Sequence, residues 1–248
     1  MSPLSSCPTV VLLTVYRPQP RLTDLVERLY AEMPAGSHVV VVDDGNGPGC
    51  QDLFDAVRDL GATVLRHPAN LGKGAALKTG FAHVRTTYPR ADVVCADADG
   101  QHHAADVLRV SELIRPGSIV LGVRRLDQMP MSSRLGNTIT GALFRAVTGY
   151  PIDDTQTGLR GFSAGLLDWL CTVPGDGFDY EMNMLLDAAS AGRPIEAVSI
   201  PTRYLDGNSA SNFSGVSDSV RVYRPLLRYT AATLTGQKQD RRTAATGG

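Results

Sequence analysis

Cysteine is scarce and scattered. The 248-residue chain has four, Cys7, Cys50, Cys95 and Cys171, and no two of them form a C-x-x-C pair. That spacing argues against both a disulfide framework and a zinc site. Long hydrophobic runs are missing as well. Stretches such as Val39 to Val42 fall far short of the roughly 20 apolar residues that cross a bilayer, so any membrane contact is expected to be peripheral. Met1 to Pro8 hold no basic stretch ahead of an apolar one. No signal peptide is therefore expected, and the expected location is cytoplasmic. Net charge is close to absent: 24 Lys and Arg against 25 Asp and Glu leave −1. A general nucleic-acid binder carries a strongly basic face, so no nucleic-acid partner is expected.

What the chain does have is enough apolar residue, 43%, to bury a sizeable core. In the first half short β-rich runs alternate with helical stretches. Val10 to Val15, Val39 to Val42, Thr63 to Arg66, Val93 to Ala96 and Ser118 to Val123 read as strands. Leu22 to Met33, Gln51 to Leu60, Gly74 to Arg85 and Ala105 to Ile114 read as helices. This is the pattern of an α/β protein with a mostly parallel central sheet and helices on both faces, whose ligand lies outside the carboxyl ends of the strands. The second half is less regular. Helices are expected over Leu135 to Val147, Tyr180 to Ala191 and Val216 to Tyr229, with Pro225 bending or dividing the last. Asp153 to Phe162 reads as a polar, glycine-containing turn region leading to a short strand, Ala197 to Thr202 as a strand and Leu205 to Gly215 as a loop. One domain is expected over residues 1–235, with a polar, disordered tail over 236–248.

Asp97 and Asp99 carry the strongest chemical signal. They follow an apolar run, and at two-residue spacing on an extended chain both carboxylates point to one face. Two such groups repel unless a cation lies between them, and hard oxygens select Mg2+ or Mn2+. Gln101 could add a neutral oxygen. The competing reading is that the pair ends a strand and caps the next helix. Asp43-Asp44-Gly45 stands at a second strand end, as a base- or ribose-binding group or simply as a tight turn. Asn70-Leu71-Gly72-Lys73-Gly74 precedes a helix whose N-terminus favours anions, but it is neither a Walker A loop nor G-x-G-x-x-G. Arg124, Arg134, Arg160 and Arg203 lie near turns, where guanidinium groups can bind phosphate bidentately or simply be solvated. The last helix sets Arg221, Arg224 and Arg228 beside the stripe Val216, Val220, Tyr223 and Leu227, which suits an anionic membrane surface or a core-packed helix.

These segments resemble family 2 glycosyltransferases, especially the dolichyl- or polyprenyl-phosphate mannosyl- and glucosyltransferase group. The likeness runs from about Val10 to Tyr229. It is carried by Val39 to Gly45, Asn70 to Gly80, Asp97 to His102, Gly122-Val123-Arg124, Ser133 to Asn137, Asp154 to Phe162 and Phe178 to Met182, with Leu205 to Ser209 in support. The sequence departs from the group's usual pattern at Thr14-Val15-Tyr16-Arg17 and at Asn46.

The resemblance implies a GT-A fold and an inverting hexosyl transfer from a nucleotide-diphosphate sugar, GDP-mannose or UDP-glucose, to a polyprenyl phosphate. It implies a nucleotide-sugar half over about 8–125, an acceptor half over 126–205 and a basic amphipathic segment over 206–235. Tyr16, Asp43, Asp44, Gly72, Lys73, Asp97 and Ala98 would serve the donor. Asp97, Asp99 and Gln101 would hold the metal, and Asp99, Arg124, Arg134 and Arg203 would serve catalysis by aligning the donor diphosphate and the acceptor phosphate. Two alternatives stand beside it: a soluble enzyme of the same family with a small-molecule or glycan acceptor, and a non-catalytic nucleotide-sugar-binding protein. A membrane-bound partner protein is a further expectation for a lipid acceptor.

Overall fold

A computed structural model describes residues 8–98, 102–124, 131–201 and 224–230. The chain opens β1(Thr9–Val15), α1(Arg21–Glu32), β2(His38–Asp43), α2(Gln51–Asp59), β3(Thr63–Arg66), α3(Lys73–Thr87), β4(Asp92–Asp97), α4(Ala104–Leu113) and β5(Ile119–Arg124). It continues with α5(Met131–Thr148), β6(Arg160–Phe162), α6(Leu167–Thr172), α7(Asp179–Ser190) and β7(Ile195–Ile200). A further described helix, α8, covers residues 224–230 and includes Pro225.

The strands form one sheet in the order β3-β2-β1-β4-β6-β5-β7. β1 pairs in parallel with β2 and β4, and β5 with β7. β6 alone is antiparallel, wedged between β4 and β5 through only three residues. Side-chain alternation sorts the core into two layers. Val10, Leu12, Val93, Cys95, Ile119, Leu121 and Phe162 pack with buried residues of α3, α5, α6, α7 and α8 on one face. Val11, Leu13, Val39, Val41, Val94 and Val120 pack with α1, α2 and α4 on the other. Each fully buried Leu or Val on this sheet contributes roughly 1.5–3 kcal/mol of transfer free energy, which is why the strands tolerate so few polar interruptions.

The sequence reading holds closely in the first half, where each expected strand and helix forms. One feature differs from it: α6 had no expected counterpart, because six residues are too few to show a helical period. The polar turn region after Asp153 leads to a short strand, set antiparallel into the middle of the mostly parallel sheet. The parallel pairing brings the C-terminal ends of β1, β2, β3, β4 and β5 to a single edge. Val15 stands opposite Asp43, Asp43 opposite Arg66, and Thr14 opposite Asp97. The expected loop at Leu205 to Gly215, most of the expected Val216 to Tyr229 helix and the tail lie outside the described residues.

Candidate active site

The edge is built from carboxylates that the fold has already assigned partners. Asp43 is fully buried. Its Oδ1 accepts from the backbone N–H and side-chain amide of Asn46 at 2.9 and 2.8 Å, and its Oδ2 accepts from Arg66 Nε at 2.7 Å. Asn46 also donates to the Val15 carbonyl and accepts from the Arg17 N–H, so it ties the ends of β1 and β2 together. Arg17 has φ of +55°, a left-handed turn that a non-glycine residue adopts only when held there. Its guanidinium lies 5.2 Å from the ring centroid of Tyr16, which is 36% exposed. Asn46, one of the departures from the family pattern, thus bonds the backbone of Val15 and Arg17, where the other departures lie.

Asp44 is buried too, and it faces the other way. Its Oδ1 accepts from Leu71 N at 2.9 Å and lies 2.8 Å from His67 Nδ1; its Oδ2 accepts from Gly72 N at 3.0 Å. These contacts engage part of the expected anion cradle at Asn70 to Gly74. Asp44 takes two of its backbone donors, and the Asp176 carbonyl accepts from Ala75 N at 3.0 Å. Gly72 and Gly74 are small because the Asp176 segment and Tyr180 press on them: a Cβ would meet Asp176 O at 2.4 Å and Tyr180 Cβ at 2.5 Å. Asp44 and Gly72 act here as the clamp that sets Lys73. Gly45 completes the turn with φ of +76°, and a Cβ on it would stand 2.0 Å from the Ala69 carbonyl carbon. Gly45→Ala is expected to cost roughly 2–3 kcal/mol, combining a left-handed backbone with a backbone clash. Urea unfolding would measure it, and a loss under 0.5 kcal/mol would contradict it.

Asp97 ends β4 with a side chain 36% exposed. Its Oδ1 accepts from Lys73 Nζ at 2.8 Å, and its Oδ2 lies 4.0 Å from His102 Nε2. Burial opposes the charge of Asp97, but Lys73, His102 and Arg124 outweigh it and hold the carboxyl well below the usual range. Lys73 reaches Glu181 Oε2 at 3.1 Å with the same ammonium; burial again opposes its charge, and the two carboxylates more than offset that. Burial pushes the His102 pKa down, against the pull of Asp97, and the buried Nδ1 meets no hydrogen-bond partner among the described residues. Gly158 backs directly onto this carboxylate, since a Cβ there would lie 2.1 Å from Asp97 Oδ2. Ala98 follows, half-buried against the α1/α2/α4 layer.

The arginines divide. Arg124 ends β5 and grips the fully buried Asp154, with Nε to Oδ2 at 2.7 Å and Nη2 to Oδ1 at 3.0 Å. Arg134 is exposed near the start of α5. Arg160 is not a phosphate-facing group: it is 2% exposed and donates to the carbonyls of Thr157, Glu181 and Thr155 at 2.8, 3.0 and 3.1 Å. Asp99, Gln101 and Arg203 lie outside the described residues. Asp154, Gly158 and Glu181 were not singled out from sequence. All three fall in the Asp154 to Phe162 and Phe178 to Met182 segments, whose glycine and acidic residues were the available signal.

A mostly parallel sheet with acidic strand ends gathered on one edge, and one antiparallel strand set into it, is the GT-A architecture, and the family match given below makes the class a glycosyltransferase. Glucosyl-3-phosphoglycerate synthase from Mycobacterium tuberculosis, crystallised with Mn2+, UDP and glucosyl-3-phosphoglycerate, shares this fold with a TM-score of 0.68, covering 91% of this chain and 80% of that one at 19% identity. The sequence model of glycosyl transferase family 2 matches residues 10–164, and the chain belongs to that family. An undecaprenyl-phosphate mannosyltransferase from Micrococcus luteus is 30% identical over 181 residues, 68% of this chain and 72% of the relative. A dolichyl-phosphate beta-glucosyltransferase from Saccharomyces cerevisiae is 24% identical over 248 residues, 88% and 72% of the two chains.

Proposed function

We propose that the protein transfers a hexose, with inversion, from GDP-mannose or UDP-glucose to a polyprenyl phosphate, using Mg2+ or Mn2+. The observation that carries this reading is Asp97: a strand-end carboxylate kept ionised and part-exposed, 2.8 Å from Lys73, in a chain related to polyprenyl-phosphate sugar transferases. A hard, ionised oxygen donor fits a divalent cation. In this proposal the ion would be held by Asp97 with Asp99 and Gln101. When bound, the ion would offset the charge that develops on the leaving nucleoside diphosphate.

The residues themselves position and neutralise. Tyr16 offers an exposed ring beside the Asp43–Asn46–Arg66 network for the nucleotide base. Asp154 fixes the Arg124 guanidinium bidentately, so its orientation is set before a phosphate arrives. An acceptor phosphate is already anionic at neutral pH and needs alignment rather than a strong general base, which is the work assigned to Arg124, Arg134 and Arg203. Residues 8–125 serve the donor and 126–205 the acceptor within one domain. The exposed Leu227, flanked by exposed Arg224 and Arg228 on α8, supports peripheral contact with an anionic membrane face. No helix among the described residues is long and apolar enough to cross a membrane.

The test incubates the protein with Mn2+, a panel of UDP- and GDP-sugars and a short polyprenyl phosphate, and seeks the glycosyl phospholipid by mass spectrometry. One donor is expected to give product. Transfer to free sugars with none to the lipid phosphate would overturn the acceptor assignment. Arg134→Ala is expected to raise the KM for the acceptor phosphate about tenfold, the scale of one charge-assisted contact, and to leave donor KM unchanged. Loss of nucleotide affinity alone would move Arg134 to the donor side.

A further inference from the structure

Lys73 stands between two carboxylates, 2.8 Å from Asp97 Oδ1 and 3.1 Å from Glu181 Oε2. Glu181 Oε1 lies 3.6 Å from Arg160 Nε, so charges of alternating sign run in a row from the strand end into the core: Asp97, Lys73, Glu181, Arg160. The backbone that carries Lys73 is pinned. The Lys73 side chain is only 18% exposed, and Asp44 and the Asp176 carbonyl hold the backbone on either side of it. The far end is fixed as well, since Arg160 donates to three carbonyls. The other Asp97 oxygen faces Gly158 and His102. Any cation that approaches Asp97 thus meets a charge already seated on it.

We propose that Lys73 is a built-in counter-cation that competes with the divalent ion for Asp97, and that Glu181 sets the strength of this competition by drawing the ammonium toward the core. The inference rests on the reading of Asp97 as a metal ligand. Both are positioning residues: they act on the metal through Asp97. In the empty site Lys73 neutralises and orients the carboxylate. In the loaded site the ammonium's attraction passes to Glu181, which keeps it from repelling the ion.

The test is Mn2+ binding to the full chain at fixed pH, followed by the electron paramagnetic resonance signal of free Mn2+, alone and with UDP or GDP. K73M is expected to bind Mn2+ about fivefold more tightly, and E181Q about fivefold more weakly, as befits one part-buried ion pair. Opposite signs are the signature, because a purely structural role would weaken binding in both variants. Equal or weaker binding by a folded K73M overturns the proposal. Should K73M fail to show a cooperative melt, the isosteric E181Q decides, and unchanged or tighter binding there overturns it. D97N separates the two layers of the argument. Retained Mn2+ binding in D97N removes the metal reading itself, whereas lost binding in D97N with an unchanged K73M removes only the competition.

Discussion

Gly158→Ala is expected to lower glycosyl transfer by two orders of magnitude or more while leaving the protein folded, because a misplaced reacting group costs that much. The added methyl has nowhere to go. Its carbon would lie 2.1, 2.4 and 2.6 Å from Oδ2, Cγ and Oδ1 of Asp97. That carboxylate is not the loose tip of a long side chain. It is carried on a single methylene by a strand residue in register with Thr14, and Lys73 holds it at 2.8 Å. The relief is for Asp97 to leave its position, which takes the expected metal ligand with it. Gly158 does not have a left-handed φ, so the backbone itself accepts alanine. The stability loss is therefore set by local overpacking, roughly 1–3 kcal/mol. Steady-state nucleotide release and a thermal melt on the same preparation give both numbers, and activity within threefold of the parent would contradict the account.

Arg160→Ala is expected to cost about 4 kcal/mol, near the top of the range for single substitutions. Deleting the guanidinium strands the carbonyls of Thr155, Thr157 and Glu181, and leaves Glu181 with Lys73 alone. For a chain of this size that is a fall in Tm of about 10 °C. Arg160→Lys should recover little, because one ammonium cannot reproduce a planar fork that reaches three acceptors. A drop of less than 2 °C in the alanine variant would show that the network relaxes around the gap.

The contrast between these two residues shows what can be read from a chain. The strand ends at Asp43 and Asp97 were legible because apolar runs announce β2 and β4 and polar residues announce where they stop. What each side chain does there was not, since its partner lies far along the sequence. Asp44 clamps Leu71 and Gly72, 27 and 28 residues further on. Lys73 bridges α3 to Asp97 and Glu181. Arg160 looked like Arg124, yet strand alternation sends it to the buried α3/α7 face with Phe162. Three-residue β6 carries no period of its own, so neither its direction nor its place between β4 and β5 could be inferred.

That placement has a consequence for biogenesis. As the chain leaves the ribosome, β1, β2, β3 and β4 can zip together as they appear, each joining a neighbour already made. β5 cannot follow: its neighbours are β6 and β7, both synthesised later. Until Arg160 to Phe162 emerge, β4 presents Val93 to Cys95 as an unpaired edge, and β5 waits without a sheet to join. Such edges are the places where nascent chains stick to one another, and non-local pairings of this kind slow folding. The nascent protein therefore has its greatest need of chaperone shielding between the synthesis of α4 and that of β6, and a polysome stalled in that interval should expose it.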